Sequence, residues 1–161
     1  MRKISFLCSI LLASTGILGA QQLMNKKALN LGTAKQIAAA AEKEAMKNQW
    51  TMFITVVDDS GNIVYLERLD DTQLGSFEVS IEKARTAVRF KRPSKVFEDQ
   101  LNGGRTAVLK IPGAIPVEGG IPLTADGKII GAIGVSGGTS QQDGQVAQAG
   151  ATALEAMLKG K

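Results

Sequence analysis

The chain has 161 residues, which fits one domain, and 19 Lys and Arg residues against 15 Asp and Glu residues give it a formal charge of +4. It contains no His and a single Cys, Cys8. This composition excludes a Ser-His-Asp triad, and after Cys8 it also excludes disulfides, cysteine nucleophiles and zinc sites built on Cys or His. Any catalysis has to use carboxylates, Lys, Arg, hydroxyl groups or a cofactor.

Residues 1–20 have the layout of a secretory signal peptide. Arg2 and Lys3 precede an apolar run over residues 4–12, and a region of small residues ends at Ala20. The alternative is a short membrane anchor, but the apolar run is interrupted and shorter than the roughly 20 residues that a spanning helix needs. We therefore predict a periplasmic or secreted protein that has no membrane contact after cleavage near Ala20.

Cleavage would remove Arg2 and Lys3 and no acidic residue, which lowers the formal charge from +4 to +2. A charge of +2 is too small for the basic surface that is typical of nucleic-acid binders. Residues 21–32 are predicted to be a flexible lead-in, and residues 33–161 are predicted to form one domain.

The first predicted helix begins at Thr33, because Thr33 and Gln36 have the spacing of a capping box. Residues 52–57 and 63–66 are short runs rich in β-branched residues, and residues 58–62 between them have turn composition. This pattern predicts a β-hairpin.

A second helix is predicted over residues 75–90, where apolar residues recur on one helical face, and Pro93 ends it. A short extra helix could follow over residues 94–101. The Pro-rich segment 111–122 argues against a central strand and leaves room only for a short edge strand over residues 115–117.

A second hairpin is predicted from residues 120–123 and 129–135, because the Asp-Gly pair at 126–127 is a strong hairpin signal. The last helix is predicted to begin at Ser140, which has capping-box spacing with Asp143. Two hairpins separated by helices predict an α+β fold, with a central antiparallel sheet of four or five strands flanked by helices.

Four segments, at residues 55–62, 80–87, 115–123 and 131–138, contain the sequences TVVDDSGN, SIEKARTA, IPVEGGIPL and GAIGVSGG. In this order and spacing they resemble the GlcG/HbpS-type haem-binding, or haem-degrading, domain family, and the resemblance extends over residues 29–159. It implies a profilin-like three-layer arrangement and dimer-based homo-oligomers. It also implies haem or a related tetrapyrrole as the ligand of some members and haem degradation by others.

The resemblance implies a haem site that this chain has to build without His, although some members are thought to ligate haem iron through that residue. Iron would need Tyr65, a Met such as Met46 or Met52, a Lys, or a hydroxyl such as that of Thr86. The alternative is haem held at an oligomer surface without a strong axial bond. No residues are assigned to any other metal.

Nine residues are candidates for ligand binding. Paired glycines let the backbone approach a ligand, Glu118 offers a carboxylate beside them, and a glycine loop before the last helix offers N–H groups to an anion such as a propionate. The alternatives are a bulge or turn for the glycines, and a loop capped by its own Asp143. The nine residues are Lys83, Arg85 and Thr86 on the second helix, Glu118, Gly119 and Gly120 before the second hairpin, and Ser136, Gly137 and Gly138 after it.

Six basic residues lie within thirteen positions: Lys83, Arg85, Arg89, Lys91, Arg92 and Lys95. Arg85 and Arg89 are four residues apart on a helix, so they repel each other unless an anion or an acid lies between them. A propionate or an acidic substrate would be such an anion, and the alternative is a solvated face or a subunit contact. Asp58 and Asp59 suggest metal or acid–base chemistry, but Asp is also favoured in tight turns.

Three functions follow from these observations. The first is an exported homo-oligomer that binds haem or a related planar anionic ligand. The second is an enzyme that degrades haem or acts on a small hydroxy acid through Lys83, Arg85 and Glu118. The third is a sensory or structural oligomer without chemistry of its own.

Overall fold

The computed structural model describes residues 25–160, so the predicted signal peptide, residues 21–24 and residue 161 lie outside the described part. It confirms the α+β class, with a sheet of four strands. No helix among residues 25–160 is both long and apolar enough to cross a membrane. The elements in chain order are helix α1 (Leu31–Lys47), strands β1 (Phe53–Asp58) and β2 (Ile63–Arg68), helices α2 (Ser76–Phe90) and α3 (Lys95–Asn102), a 3₁₀ helix (Thr106–Lys110), strands β3 (Gly120–Ala125) and β4 (Lys128–Ser136), and helix α4 (Ser140–Lys159).

The sheet has the order β2-β1-β4-β3, and every pair of neighbours is antiparallel. Both predicted hairpins are present, and they join through β1 and β4, where Thr55 lies opposite Gly134. Strands β2 and β3 form the two edges. Pro122, which cannot donate a backbone hydrogen bond, is therefore placed on an edge strand, as expected for proline in a sheet.

Helices cover both faces of the sheet, which gives three layers. α1 and α4 pack against each other and on one face, while α2 packs on the other face over β1, β3 and β4. The larger core lies beneath α1 and α4 and includes Ile37, Ile54, Ile133 and Val146, all fully buried. A smaller apolar cluster lies beneath α2: Val57, Ala84, Ala87, Val88 and Ala132.

Glycines in the sheet allow α2 to approach it closely. A Cβ atom at Gly134 would lie 2.1 Å from the carbonyl oxygen of Ser80, and one at Gly120 would lie 2.1 Å from that of Lys83. The buried hydroxyl groups of Thr55 and Ser80 hydrogen-bond to each other at 2.8 Å across this contact. These glycines are therefore explained by the packing of a helix backbone directly on the strands.

The start of α1 was predicted at the wrong residue. The helix begins at Leu31, and the side chain of Asn30 caps it by accepting a hydrogen bond of 2.8 Å from the backbone N–H of Thr33. Asn is among the strongest N-cap residues, so it takes the role predicted for Thr33. Residues 25–30 have no regular secondary structure.

The capping box of α4 lies one residue before its predicted position. The capping box joins Thr139 and Gln142 instead of Ser140 and Asp143. Asp143 is not available for the predicted box because its side chain points inward and is buried.

The possible edge strand over residues 115–117 is absent. The backbone N–H of Ile115 instead donates a hydrogen bond of 2.9 Å to the hydroxyl of Thr86 on α2. The predicted extra helix is present as α3.

Candidate functional site

A buried ion pair joins α2 to α4 around the beginning of β3. The Nζ atom of Lys83 lies 2.6 Å from Oδ2 of Asp143, and the two side chains are 1% and 3% exposed. Burial raises the pKa of the Asp143 carboxyl, against the opposing effects of Lys83 and of the Gly138 N–H. A Cβ atom at Gly119 would lie 3.1 Å from Cδ of Lys83, so only a glycine fits beside the pair. Lys83 is therefore a buried structural partner and has no surface to offer a ligand.

The glycine loop before α4 is satisfied by its own side chains. The N–H of Gly138 donates a hydrogen bond of 3.0 Å to Asp143, and the N–H of Thr139 donates one of 2.9 Å to Gln142. The predicted anion site at this helix start is therefore not supported, because these donors are engaged and the carboxylate of Asp143 would repel an anion. The alternative, a self-capped loop, is what the structure shows.

Three further predicted site residues are engaged in packing. The Thr86 hydroxyl accepts the hydrogen bond from Ile115 and is inaccessible to solvent. Ser136 is 5% exposed at the end of β4, and a Cβ atom at Gly137 would lie 2.1 Å from the carbonyl oxygen of Thr51. These residues hold segments together and do not line a cavity.

Glu118, Gly119 and Gly120 do share one cavity, which we call the β3 cavity. Its volume is about 420 Å³. Glu118 is half-buried against α4, since a Cβ atom at Gly144 would lie 2.2 Å from its Oε1 atom, and this burial raises the pKa of the carboxyl. The lining residues are Pro93, Lys95, Glu118, Gly119, Gly120, Ile121, Gln141, Gly144, Gln145 and Gln148.

The rim of the β3 cavity is acidic. Lys95 forms an ion pair of 2.5 Å with Asp99, which raises the pKa of Lys95, and Glu118 and Glu98 add to this effect. Three carboxylates thus surround one ammonium group. A second anion, such as a propionate or a small hydroxy acid, would be repelled here.

The basic face of α2 is balanced by an acid of the same helix. The carboxylate of Glu82 forms ion pairs with Arg85 at 2.8 Å and with Arg89 at 3.4 Å. The acid expected between the two arginines is therefore supplied by the same helix. The Nε atom of Arg85 also donates a hydrogen bond of 3.2 Å to the carbonyl of Gly61 in the β1–β2 turn. Arg85 is therefore a packing residue, separate from the β3 cavity.

Asp58, the first residue of the acidic pair in the β1–β2 turn, has a structural role. Its Oδ1 atom accepts hydrogen bonds from the backbone N–H groups of Ser60 and Asn62, at 2.8 and 2.9 Å. The turn interpretation is confirmed for this residue. Within residues 25–160, no cluster of three or more acidic side chains could hold a metal ion.

A second cavity lies at the end of the sheet where both hairpin turns meet the end of α2. We call it the lysine cavity; its volume is about 510 Å³. The ammonium groups on its wall outnumber the carboxylates by three to one, and Val88 and Ile129, which pack in the apolar cluster beneath α2, supply an apolar floor. The lining residues are Lys26, Asp59, Val88, Lys91, Gly127, Lys128 and Ile129.

Two of the three lysines already have partners in the protein. Lys26 forms an ion pair with Asp59, and Lys128 donates a hydrogen bond of 2.7 Å to the backbone carbonyl of Asn25. Within residues 25–160, no hydrogen bond or ion pair engages the amine of Lys91. An apolar floor with a cationic wall suits a flat apolar ligand with anionic groups at its edge.

Sequence reasoning missed this cavity because four separate segments build it. Of its residues, only Asp59 and Lys91 had been considered for a functional role, Lys91 as one of the six clustered basic residues. One signal was available: in the order β2-β1-β4-β3, the turns of the two hairpins lie at the same end of the sheet, so Asp59 and Lys128 are neighbours there.

The structure also narrows the candidates for an axial haem ligand. Met52 and Thr86 are inaccessible to solvent, and the Tyr65 hydroxyl donates to Glu67 at 2.9 Å. Met46 is 64% exposed and lines a third cavity of about 420 Å³ beside Trp50. The accessible candidates are Met46 and surface lysines.

The model of a family described as "Haem degrading protein HbpS-like" matches residues 29–152. The chain belongs to the HbpS-like family. Protein GlcG of Escherichia coli K12 is 45% identical over 114 residues, which cover 71% of this chain and 85% of GlcG. The predicted resemblance to the GlcG/HbpS-type family is thus confirmed.

Two solved structures share the fold of this chain. A double mutant of HbpS from Streptomyces reticuli is 31% identical and has a TM-score of 0.75, covering 88% of this chain and 99% of that one. A crystal structure of a PduOC–haem complex is 30% identical and has a TM-score of 0.72, covering 79% of this chain and 95% of that one. In this second structure, a protein of the same fold is in complex with haem.

Proposed function

We propose that this HbpS-like protein is an exported homo-oligomer that binds haem, or a related planar anionic ligand, in the lysine cavity. The observation that carries the proposal is the charge and shape of that cavity: three ammonium groups and one carboxylate around an apolar floor. The haem complex of a relative with the same fold supports the choice of ligand.

The residues present suit haem chemically. The porphyrin ring has two apolar faces, one of which would lie on Val88 and Ile129, and its propionates would pair with the amines of Lys91 and Lys128. A volume of about 510 Å³ falls in the range of small-molecule sites. When bound, haem would supply iron-based redox chemistry, whereas the protein would supply orientation and charge.

The acidic β3 cavity is the weaker choice. It contains the residues first predicted to bind a ligand, but its rim of Glu98, Asp99 and Glu118 around Lys95 would repel propionates. The same charge argues against a negatively charged hydroxy acid as the substrate of an enzyme at this position.

Homo-oligomerisation is proposed from exposed apolar residues beside the β2 edge. α2 packs mainly over the other three strands, and Ile63, Leu74 and Phe77 are 45%, 72% and 40% exposed. Covering such residues favours association. Export is proposed from the signal-like residues 1–20.

Titration of the purified protein with haemin tests the function. A saturable shift of the haem Soret band is expected. Bleaching of the band after addition of a reductant or a peroxide would instead support a haem-degrading enzyme. No spectral change at micromolar haemin would contradict haem binding and support a sensory or structural role.

A matched pair of variants tests the position of the site. Ile129→Glu places a carboxylate on the floor of the lysine cavity, and Ile121→Glu does the same in the β3 cavity; both side chains are half-buried on strands of the same hairpin. We expect Ile129→Glu to weaken haemin binding about tenfold or more, because a carboxylate beside the propionates should cost about 1.4 kcal/mol or more. Ile121→Glu should leave the affinity unchanged, and the reverse result would place the ligand in the β3 cavity.

A further inference from the structure

The β3 cavity contains a carboxylate without a hydrogen-bond donor. Glu118 is half-buried there, and its backbone N–H donates to the side chain of Glu98. Within residues 25–160, however, no hydrogen bond or ion pair engages the carboxylate oxygens of Glu118. Burial raises the pKa of this carboxyl, and Lys95 opposes that effect only in part. Polar groups removed from water are usually hydrogen-bonded, so the carboxylate is available to a donor from outside the chain.

A glycine of α4 makes room for this carboxylate. A Cβ atom at Gly144 would lie 2.2 Å from Oε1 of Glu118 and 2.7 Å from its Cδ atom. Gly144 is inside a helix, where glycine is less favourable than alanine. The three atoms nearest to the added Cβ all belong to Glu118, so this glycine is explained by the position of the carboxylate and not by packing on the sheet.

The groups around Glu118 favour a cation that carries hydrogen-bond donors. Gln145, which lines the same cavity, donates from its amide nitrogen to the carboxylate of Glu44 at 2.6 Å. Because a carboxylate only accepts, this contact fixes the orientation of the amide and leaves its carbonyl oxygen as an acceptor. Lys95 is held by Asp99 at 2.5 Å and forms no ion pair with Glu118. The cavity therefore offers acceptors and an excess of negative charge.

We propose that the β3 cavity binds a small organic cation with a primary ammonium group. The donors of an ammonium group match the two carboxylate oxygens of Glu118 and the carbonyl oxygen of Gln145 in number. The apolar side chains of Pro93 and Ile121 line the same cavity and suit a short alkyl chain. This site is separate from the lysine cavity and opposite to it in charge, so it does not depend on haem binding.

Methyl NMR spectra of protein labelled at Ile test the site, because Ile121 reports on the β3 cavity and Ile129 on the lysine cavity. The probes are butylammonium chloride, 1-butanol and sodium butyrate, which have similar alkyl chains and differ in charge, at an ionic strength kept constant with sodium chloride. We expect butylammonium to shift the Ile121 signal saturably and to leave Ile129 unchanged, and neither other probe to shift Ile121. No shift with butylammonium, or an equal shift with butyrate, would overturn the proposal.

Three variants then test the role of Glu118. Glu118→Gln removes the charge and keeps the shape, so butylammonium should bind about tenfold more weakly or worse. Gly144→Ala displaces the carboxylate while favouring the helix, so it should weaken binding without unfolding α4. Glu155→Gln makes the same charge change at an exposed position of α4 outside the cavity and should stay within about twofold of the wild type. Wild-type affinity in Glu118→Gln would overturn the site, whereas haemin titration reports separately on the lysine cavity.

Discussion

Lys83 was predicted to bind a ligand because a lysine on a cationic helix is a natural anion partner, yet it is almost fully buried against Asp143. The two residues are 60 positions apart in the chain. Their pairing depends on how α2 and α4 pass the beginning of β3, which no local pattern in the sequence encodes. The same pair explains the capping at α4, since Asp143 is drawn inward and Gln142 takes its place in the box.

Removing one member of the Lys83–Asp143 pair should lower the stability of the fold. Lys83→Met leaves Asp143 buried without its partner, and we expect the free energy of unfolding to fall by about 3–5 kcal/mol. Urea denaturation measures this. Lys95→Met, which breaks the exposed pair with Asp99, should lower the free energy of unfolding far less. A loss in Lys83→Met no larger than that in Lys95→Met would contradict the expected cost of leaving Asp143 buried without a partner.

The half-buried carboxyl of Glu67 should make the stability of the protein depend on pH. Its Oε2 atom accepts the Tyr65 hydroxyl at 2.9 Å, whereas its Oε1 atom is buried without a partner within residues 25–160. Burial raises the pKa of Glu67 above its ordinary value of 4.5. A carboxyl with a raised folded-state pKa holds its proton more tightly when folded, so its ionisation reduces stability as the pH rises through that pKa.

Glu67→Gln should therefore be more stable than the wild type at neutral pH, by about 1 kcal/mol, and the difference should vanish below pH 4.5. Thermal unfolding at the two pH values measures it. Glu78→Gln, at an exposed position of α2, should show no such dependence. A neutral-pH loss of stability in Glu67→Gln would contradict the expected cost of the buried charge.

Among the elements, the helices and hairpins were predictable because each one has a local signal. The Asp-Gly turn at 126–127 predicts the second hairpin, and the apolar period of residues 75–90 predicts α2, which begins at Ser76. Helix starts were less predictable, since Asn30 and Thr33 are both good caps and tertiary contacts decide between them. At α4, Asp143 points inward and cannot join a capping box with Ser140, so Thr139 is the N-cap.

The cap of α4 can be tested with two neighbouring residues. Thr139→Ala removes the side chain that accepts from Gln142 N–H, and we expect the free energy of unfolding to fall by about 1 kcal/mol. Ser140→Ala, the cap predicted from sequence, should change it by less than about 0.5 kcal/mol. Chemical denaturation of both variants measures this, and a larger effect at Ser140 would restore the original prediction.

On the scale of the whole molecule, the sequence identifies the family and the fold but not the cavity best suited to an anion. Family motifs drew attention to Glu118 and to glycines that pack α2 on the sheet. The lysine cavity depends on the order of strands, which brings two distant turns beside the end of α2. Lys128 and Ile129 therefore carry no local signal of a shared site.

The oligomer is also a property of the whole molecule. We expect light scattering to give a mass of a dimer or a larger assembly, because exposed apolar residues flank the β2 edge. Leu74→Glu should lower that mass, whereas Leu109→Glu, at an exposed position on the 3₁₀ helix, should not. A monomeric wild type would contradict the proposed homo-oligomer.

The position of haem can be read directly from methyl NMR spectra of protein labelled at Ile and Val, recorded with and without one equivalent of ferric haemin. The paramagnetic iron broadens signals of nearby methyl groups. The account predicts loss of the Val88 and Ile129 signals, which report on the lysine cavity, and retention of the Ile121 signal, which reports on the β3 cavity. Loss of the Ile121 signal while the Val88 and Ile129 signals stay unchanged would contradict haem binding in the lysine cavity.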